Sequence, residues 1–398
     1  MSSVRISDID IFQPNENASK NACVGENGQH DFQTYAEGYL HAASRLIKSV
    51  KDNDFDIDTD VLVHPILYCV RHAIELSIKH AMEELSKTDI KIERKNGHGL
   101  LDLWNEFKIA AKNDRRLVNF ANNIDHFISQ LDNADPEGQD FRYPIKVDGG
   151  KTLIGKSIVD MHTLEQTIIL LGQEIKDLFR LLPILTEERH LKAYTKKFNR
   201  EELRELSLEL PPLSTWSDSA KLKEVRERWK TKFSISNTDF SEATQFITCH
   251  REFAGNLEKE IPLLFIDDEL ILLLVSARYE IDLQNRKDSG VPMFDLILRP
   301  SPYPEVFNSL ENKLTVDVVA DITAIFYLSS YGYFSESYEK LVANYQSELI
   351  AESKHSKEAL KRGFVHIFSK TTFNRHFIRC LKKLGQINVL ATLPIIEN

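Results

Sequence analysis

The sequence predicts a mainly α-helical protein, with an N-terminal helical bundle that includes a small β-hairpin and a second helical domain after it. The chain has 398 residues, and 42% of them are hydrophobic, which is enough for two or three domains with packed cores. Apolar residues recur at three- and four-residue spacing along most of the chain, as in amphipathic helices. Its 15 glycines and 13 prolines are too few for a turn-rich all-β fold.

Five amphipathic helices are predicted in the front half of the chain. Asp31 can cap the first helix, because its carboxylate can accept hydrogen bonds from the unpaired N–H groups of the first turn. Pro65 suits the first turn of the second helix, where its missing N–H would have no partner anyway, and Pro183 is expected to end the fifth. Each helix can bury its apolar stripe only against the others, so a bundle is predicted. The stripes cover residues 32–50, 63–85, 100–111, 117–131 and 158–182.

Residues 141–160 depart from the helical period and predict the hairpin, with Asp148-Gly149-Gly150 at its turn. The same stretch contains Gly150–Ser157, which satisfies the phosphate-binding pattern G-x-x-x-x-G-K-[ST]. A true phosphate-binding loop needs a strand before it and a helix after it. Here Thr152, Leu153 and Ile154 favour an extended chain, so we interpret the segment as part of the hairpin and keep nucleotide binding as a weaker alternative.

A change in composition divides the chain into segments. Residues 186–232 are highly charged and include PPLSTWS at 211–217, which is typical of a linker. Residues 261–275 fit a buried helix and a hairpin equally well. The predicted organisation is a loose polar arm over 1–30, the bundle over 31–185, a charged helical connector over 186–232 and a C-terminal helical domain over 233–398.

Composition also restricts the compartment and the partners. The net charge of −10 argues against binding of nucleic acid or anionic lipid by the whole surface. Residues 1–30 lack the apolar segment of a signal peptide, and no uninterrupted apolar run is long enough to cross a bilayer. The four cysteines show neither zinc-ligand nor disulfide spacing. We therefore expect a cytoplasmic protein with no membrane contact, and we predict no metal site and no cofactor.

The second helix carries a ladder of alternating charges at four-residue steps, formed by Arg71, Glu75, Lys79 and Glu83. Two interpretations stay open. The charges stabilise the helix and fix its register, since each such pair contributes about 0.2–0.5 kcal/mol. Alternatively, Arg71 and Lys79 face a cleft and hold a phosphate, while His98 and Asp102 approach from the third helix.

A second charged feature lies near the C-terminus. Residues 352–384 contain nine basic residues and two glutamates, a local charge of +7 in an acidic chain. Four interleaved phenylalanines either stack on bases or pack in the core. Basic side chains neutralise phosphates, so this segment is the best candidate for binding nucleic acid. The proposed binding residues are Lys361, Arg362, Lys370, Arg375, Arg379, Lys382 and Lys383, with Lys79 from the bundle.

Four stretches of the front half carry a family resemblance. They are Tyr35…Gly38-Tyr39…Ala42-Ala43…Leu46, HPILYCVRHAIELSIKH at 64–80, His98-Gly99-Leu100…Leu103-Trp104, and Asp135…Phe141-Arg142-Tyr143-Pro144. They resemble a group of uncharacterised bacterial helical proteins that is similar to the HEPN superfamily. The resemblance covers about the first 185 residues. It implies a helical bundle of a kind associated with RNA cleavage, toxin–antitoxin pairs and phage defence.

The sequence departs from that family at its catalytic motif. Active HEPN ribonucleases resemble one another in an R-x4–6-H motif, which no Arg and His of this chain satisfy. If the protein is an enzyme, it is an endoribonuclease with a substitute site formed by His98, Arg71 and Glu75. The predicted function is RNA binding in a bacterial defence or stress system, with cleavage left open. The alternative is a non-catalytic scaffold or sensor that forms a homodimer and binds protein partners.

Overall fold

In the computed structural model the chain divides into two compact units, residues 1–187 (unit 1) and 188–398 (unit 2). The structure describes residues 6, 10–28, 30–51, 58–92, 99–146, 148–287, 301–353 and 357–393. Of these residues 72% are helical, and none belongs to a strand. The predicted mainly α class is therefore confirmed.

Unit 1 is built on amphipathic helices that share one hydrophobic core. Helix α1 packs along α2, and α3 packs against both α2 and α4. Helix α5 adds Leu164, Ile168 and Leu171 to the same core. The helices are α1 (Phe32–Lys51), α2 (Asp58–Ser86), α3 (Leu100–Ala111), α4 (Arg115–Ala134) and α5 (Met161–His190).

Three of these helices have an aspartate at the N-cap, where its carboxylate accepts hydrogen bonds from backbone N–H groups that have no partner within the helix. Asp31 Oδ1 accepts from the Thr34 amide at 2.8 Å, as the sequence predicted, and this hydrogen bond lowers the pKa of Asp31. Asp114 caps α4 through the Arg116 amide, and Asp160 caps α5 through the amides of His162 and Thr163. The caps determine the residue at which each of these helices starts, and therefore which side chains face the core.

Both proline predictions are wrong. Pro65 lies inside α2, which already begins at Asp58, and Pro183 lies inside α5, which continues to His190. A proline inside a helix costs about 3 kcal/mol, because one hydrogen bond is missing and the ring meets the preceding turn. Leu182 and Leu185 flank Pro183 and are both fully buried. Burial of each leucine contributes about 1.5–3 kcal/mol, which is enough for the helix to continue.

The predicted hairpin is not confirmed. The described part of residues 141–160 contains a single antiparallel bridge, between Ile145 and Lys151, around Gly149 with a φ of +82°. Leu153 follows with a φ of +53°, a left-handed conformation that cannot continue a strand. Residues 158–160 are irregular, so no helix starts directly after Ser157. The segment 150–157 thus lacks the strand–loop–helix context of a phosphate-binding loop.

One helix of the described residues, Thr59–Ser86 within α2, is long and apolar enough to cross a bilayer. More than half (56%) of its apolar window is buried inside the unit. Since core helices of soluble proteins pass the same length and composition test, this burial identifies α2 as a core helix.

Unit 2 contains two hydrophobic cores. The first lies between residues 198 and 257 and includes Trp229, Phe240 and Phe253, and the second lies between residues 266 and 389. Residues 186–232, which we expected to be a charged connector, contribute α6 and α7 to the first core. The helices are α6 (Arg200–Glu209), α7 (Ala220–Phe233), α8 (Asn237–Cys249), α9 (Arg251–Gly255), α10 (Asp268–Lys287), α11 (Tyr303–Ser309), α12 (Val316–Ser330), α13 (Tyr338–Ser353), α14 (Lys357–Phe368), α15 (Phe373–Lys383) and α16 (Ile387–Thr392).

A buried carboxylate determines the course of residues 261–275, which the sequence left open between helix and hairpin. Asp321 is fully buried, and its carboxylate accepts from the amides of Phe265 and Ile266 and from the Tyr338 hydroxyl at 2.6 Å. Burial raises the pKa of Asp321. The segment before Asp268 is therefore held in a non-helical course on α12, and α10 begins only after it.

Candidate functional site

Arg71, a predicted catalytic residue, lies inside unit 1. Its guanidinium is buried, and Nε donates to the Asp135 carbonyl oxygen at 3.3 Å. Its Nε also lies 3.6 Å from Asp135 Oδ2, and Nη1 lies 3.4 Å from Glu75 Oε2. Asp135 Oδ1 in turn accepts from the amides of Gln139 and Asp140. Arg71 therefore holds the turn after α4 on α2, and its charge is matched inside the protein. We call the contacts of Arg71 with Asp135 and Glu75 the clamp.

Two of the other ladder residues, Glu75 and Lys79, pair with each other along α2. Lys79 Nζ donates to Glu75 Oε1 at 2.7 Å. Although burial favours the neutral acid, this bond and the nearby Arg71 lower the pKa of Glu75. The contacts fit the stabilising interpretation of the ladder more closely than the phosphate-binding one. His98 lies outside the described residues, and Asp102 is exposed on α3.

Next to the clamp lies an aromatic group that sequence reasoning missed. The ring of His72 packs edge-on against Tyr39 at 4.5 Å and stacks on Tyr68 at 5.6 Å. The guanidinium of Arg142 lies 5.7 Å from the centre of the Tyr68 ring. Burial lowers the pKa of His72, which favours the neutral imidazole. His72 immediately follows Arg71 in the sequence, but it is not part of the charge ladder that identified Arg71 as a candidate.

The basic segment of unit 2 separates its residue types onto two sides. Phe364, Phe368, Phe373 and Phe377 are all buried in the second core, so they pack inward and cannot stack on bases. Arg362, Arg375, Arg379 and Lys382 are exposed, and Lys361, Lys370 and Lys383 are partly exposed. We call these seven cationic residues of α14, α15 and the turn between them the basic face.

A cavity of about 430 Å³ opens where the two cores of unit 2 meet. Helix α15 contributes Arg379, Lys382 and Lys383 to its wall, α6 contributes Arg204, α9 contributes Glu252 and α12 contributes Ser329. The Ser329 hydroxyl is buried, without a hydrogen-bond partner among the described residues. Four cations and one carboxylate therefore surround a concave site at one end of the basic face.

The carboxylate of Glu252 is hydrogen-bonded from the side away from the cavity by Arg200, which it shares with Glu336. It accepts from Arg200, a buried residue whose Nε also donates to Glu336 Oε1 at 2.8 Å, and from Ser335 at 2.9 Å. His250 Nδ1 accepts from an amide, so its other nitrogen carries the proton and faces Glu336 Oε1 at 3.0 Å. This network joins α6 and α9 to the turn before α13. The positive charge of the cavity comes from its lining residues, which include four cations and one carboxylate.

Lys383 is a partly exposed cation of the cavity wall. Burial lowers the pKa of its ammonium, against the attraction of Glu252. Its Nζ donates to the Tyr333 carbonyl oxygen, which holds the side chain at the wall. Sequence reasoning found Lys383 through local charge, but it missed Arg204 and Ser329, because they reach the cavity from helices distant along the chain.

Replacing Gly138 tests the clamp made by Arg71. Gly138 has a φ of +72°, and an added Cβ would lie 2.8 Å from Arg71 Nη1. We expect Gly138→Ala to lower the free energy of unfolding by about 2–4 kcal/mol, because it adds a steric clash to the left-handed strain. The matched control is Gly149→Ala, which has a φ of +82° and no neighbour within 4 Å. Equal losses in urea denaturation would show that Arg71 is not fixed.

The pH dependence of stability tests the Arg200 network. Burial favours the protonated form of Glu336, but its contacts with His250 and Arg200 lower its pKa to about 2. The stabilisation is thus complete above the ordinary pKa of 4.5 and is lost as the pH falls towards 2. We expect Glu336→Gln to reduce the free energy of unfolding by up to about 3 kcal/mol at pH 7, and progressively less below pH 4.5.

The control for that variant is Glu339→Gln, which removes a half-exposed carboxylate whose one ion pair among the described residues is with Arg251. We expect this change to cost at most about 1 kcal/mol, with little pH dependence. Urea denaturation followed by circular dichroism between pH 3 and pH 7 measures both variants. A loss for Glu336→Gln that is the same at every pH would contradict the network.

The chain matches no protein-family model, no curated protein and no solved structure. The HEPN-like relationship of the front half therefore stays a prediction. The contacts of Arg71 and the exposure of the basic face are described from this chain alone.

Proposed function

We propose that the protein binds RNA through the basic face of unit 2. The observation that carries this proposal is the row of exposed cations on α15, Arg375, Arg379 and Lys382, none of which has an ion-pair partner among the described residues. In a chain with a net charge of −10, such a row creates a local positive potential that attracts a polyanion. We expect the basic face to contact phosphates and not bases, because the phenylalanines of α14 and α15 are buried and cannot stack on bases.

The choice of RNA over other polyanions is supported by the resemblance of the front half to HEPN-like proteins. On the same ground, we propose a cytoplasmic role in a bacterial defence or stress system. The proposal is binding without cleavage by the bundle. Its support is the clamp, in which Arg71 and Glu75 are engaged with Asp135 and Lys79.

Charge reversal on α15 tests the proposal. A fluorescently labelled single-stranded RNA is titrated with the whole protein and followed by anisotropy at several salt concentrations. The slope of log K against log salt is expected to be about −0.7 per phosphate contact, or about −3.5 for five contacts. We expect the triple variant Arg375→Glu, Arg379→Glu and Lys382→Glu to lose at least about a hundredfold in affinity, because three attractions become repulsions.

The control is Lys221→Glu with Lys223→Glu, two exposed positions on α7 outside the basic face. We expect that variant to stay within about threefold of the unchanged protein, because general charge effects are screened beyond about 10 Å. Unchanged RNA affinity of the triple variant would exclude the basic face. Equal affinity for RNA and for an acidic peptide would point to a protein partner instead.

A second candidate function, homodimerisation as a scaffold, is favoured by an apolar surface on unit 1. Phe32 and Tyr35 belong to the predicted buried stripe of α1, yet 40% and 55% of their surfaces are exposed. Tyr35 also lines an apolar cavity of about 430 Å³ with Val24, Tyr39 and Cys69. Exposed aromatic side chains beside an apolar hollow are typical of an interaction surface.

Light scattering after size exclusion tests this second candidate. If the surface joins two copies, Tyr35→Glu is expected to halve the measured mass, because the variant would place a charge in the interface. Tyr143→Glu, at a tyrosine of similar exposure elsewhere on unit 1, should leave the mass unchanged. A monomeric mass for the unchanged protein at micromolar concentration would contradict dimerisation.

A further inference from the structure

The cavity at the end of the basic face has a shape that simple binding of an RNA backbone does not require. A strand that passes along a helix contacts exposed cations and needs no hollow. Here residues of α6 and α12 line, together with the end of α15, a cavity of about 430 Å³, which is within the ordinary range of about 300–1,000 Å³ for small-ligand sites. The hollow has room for a nucleotide and is larger than a lone phosphate group.

The charge inside the hollow exceeds what one phosphodiester needs. Arg379, Lys382 and Lys383 line it, and the one carboxylate of its wall, Glu252, is paired with Arg200. An internal phosphate of RNA carries a single negative charge, whereas a phosphomonoester carries about −1.5 to −2 at pH 7. A site with three cations that have no carboxylate partner inside it therefore favours the monoester.

The donors also suit a group with three free oxygens. Lys383 is held at the wall by the Tyr333 carbonyl oxygen and keeps further N–H groups for a ligand. Arg379 offers a planar pair of donors, and the Ser329 hydroxyl at the wall has no partner among the described residues. These donors come from α12 and α15, so two separate helices contribute them to the wall of one cavity.

We propose that this cavity binds the phosphomonoester of a nucleotide, and that in RNA this group is the phosphorylated end of the strand. The inference rests on the proposed RNA binding and adds to it a preference for strand ends. The cavity is the end site, and the exposed cations of α15 beyond it carry the adjoining backbone.

The test compares three forms of one short labelled RNA: with a 5′-phosphate, with a 3′-phosphate and with hydroxyl groups at both ends. Anisotropy titrations use the full-length protein. We expect one phosphorylated form to bind at least about tenfold more tightly than the hydroxyl form, the gain expected from a few charge-assisted hydrogen bonds. The double variant Arg379→Gln and Lys382→Gln should reduce that preference to less than about twofold.

The matched control is Arg362→Gln with Arg375→Gln, which also removes two exposed cations of the basic face but none from the cavity wall. It should weaken all three RNAs alike and keep the preference for the phosphorylated end. Since all four positions are exposed, neither variant should disturb folding, and equal thermal melting temperatures check this.

Adenosine 5′-monophosphate, with adenosine as its control, distinguishes the two sources of a phosphomonoester. Equal affinity for all three RNAs, without stabilisation by the monophosphate in a thermal-shift assay, would overturn the end site and leave RNA binding standing. Stabilisation by the monophosphate that the Arg379→Gln, Lys382→Gln variant loses, in a protein that binds none of the RNAs, would support the site with a free nucleotide as ligand and overturn RNA binding. A protein that binds neither would overturn both.

Discussion

A charged side chain can enter a protein interior only when an opposite charge or several hydrogen bonds meet it there. The irregular parts of this protein are organised around a few such buried groups. Arg71 and Asp135 hold the turn after α4, Asp321 holds the segment before α10, and Arg200 joins α6 and α9 to the turn before α13. Removal of either partner would leave a buried charge unmatched, so the loops depend on these pairs as much as the helices depend on their apolar stripes.

The stripes explain why much of the fold was predictable. The spacing of apolar residues identified the helices of unit 1. Asp31 marked the start of α1, because an N-cap depends only on residues close in sequence. Local rules failed where tertiary burial outweighs them. The helix around Pro183 continues because its leucines are buried, and the predicted hairpin stops at Leu153 because that residue adopts a left-handed conformation.

The candidate sites show the same division between local and distant information. The charge of α14 and α15 could be read from composition, and the spacing of Phe364 and Phe368 already suggested a core role. The partner of Arg71, by contrast, is Asp135, a residue 64 positions away, and no periodicity connects the two. The cavity could not be predicted for a related reason: Arg204, Ser329 and Arg379 meet only because two separate cores pack together.

On α15 the apolar anchors and the cations occupy opposite sides of one short rod, with Phe377 and Cys380 inside and Arg375 and Arg379 outside. Core packing and exposed positive charge are thereby assigned to different side chains of the same element. Single substitutions on the solvent-exposed side can change the affinity for a ligand, while the buried side chains keep the helix in place. Such a helix can acquire or lose ligands over evolutionary time without a change of architecture.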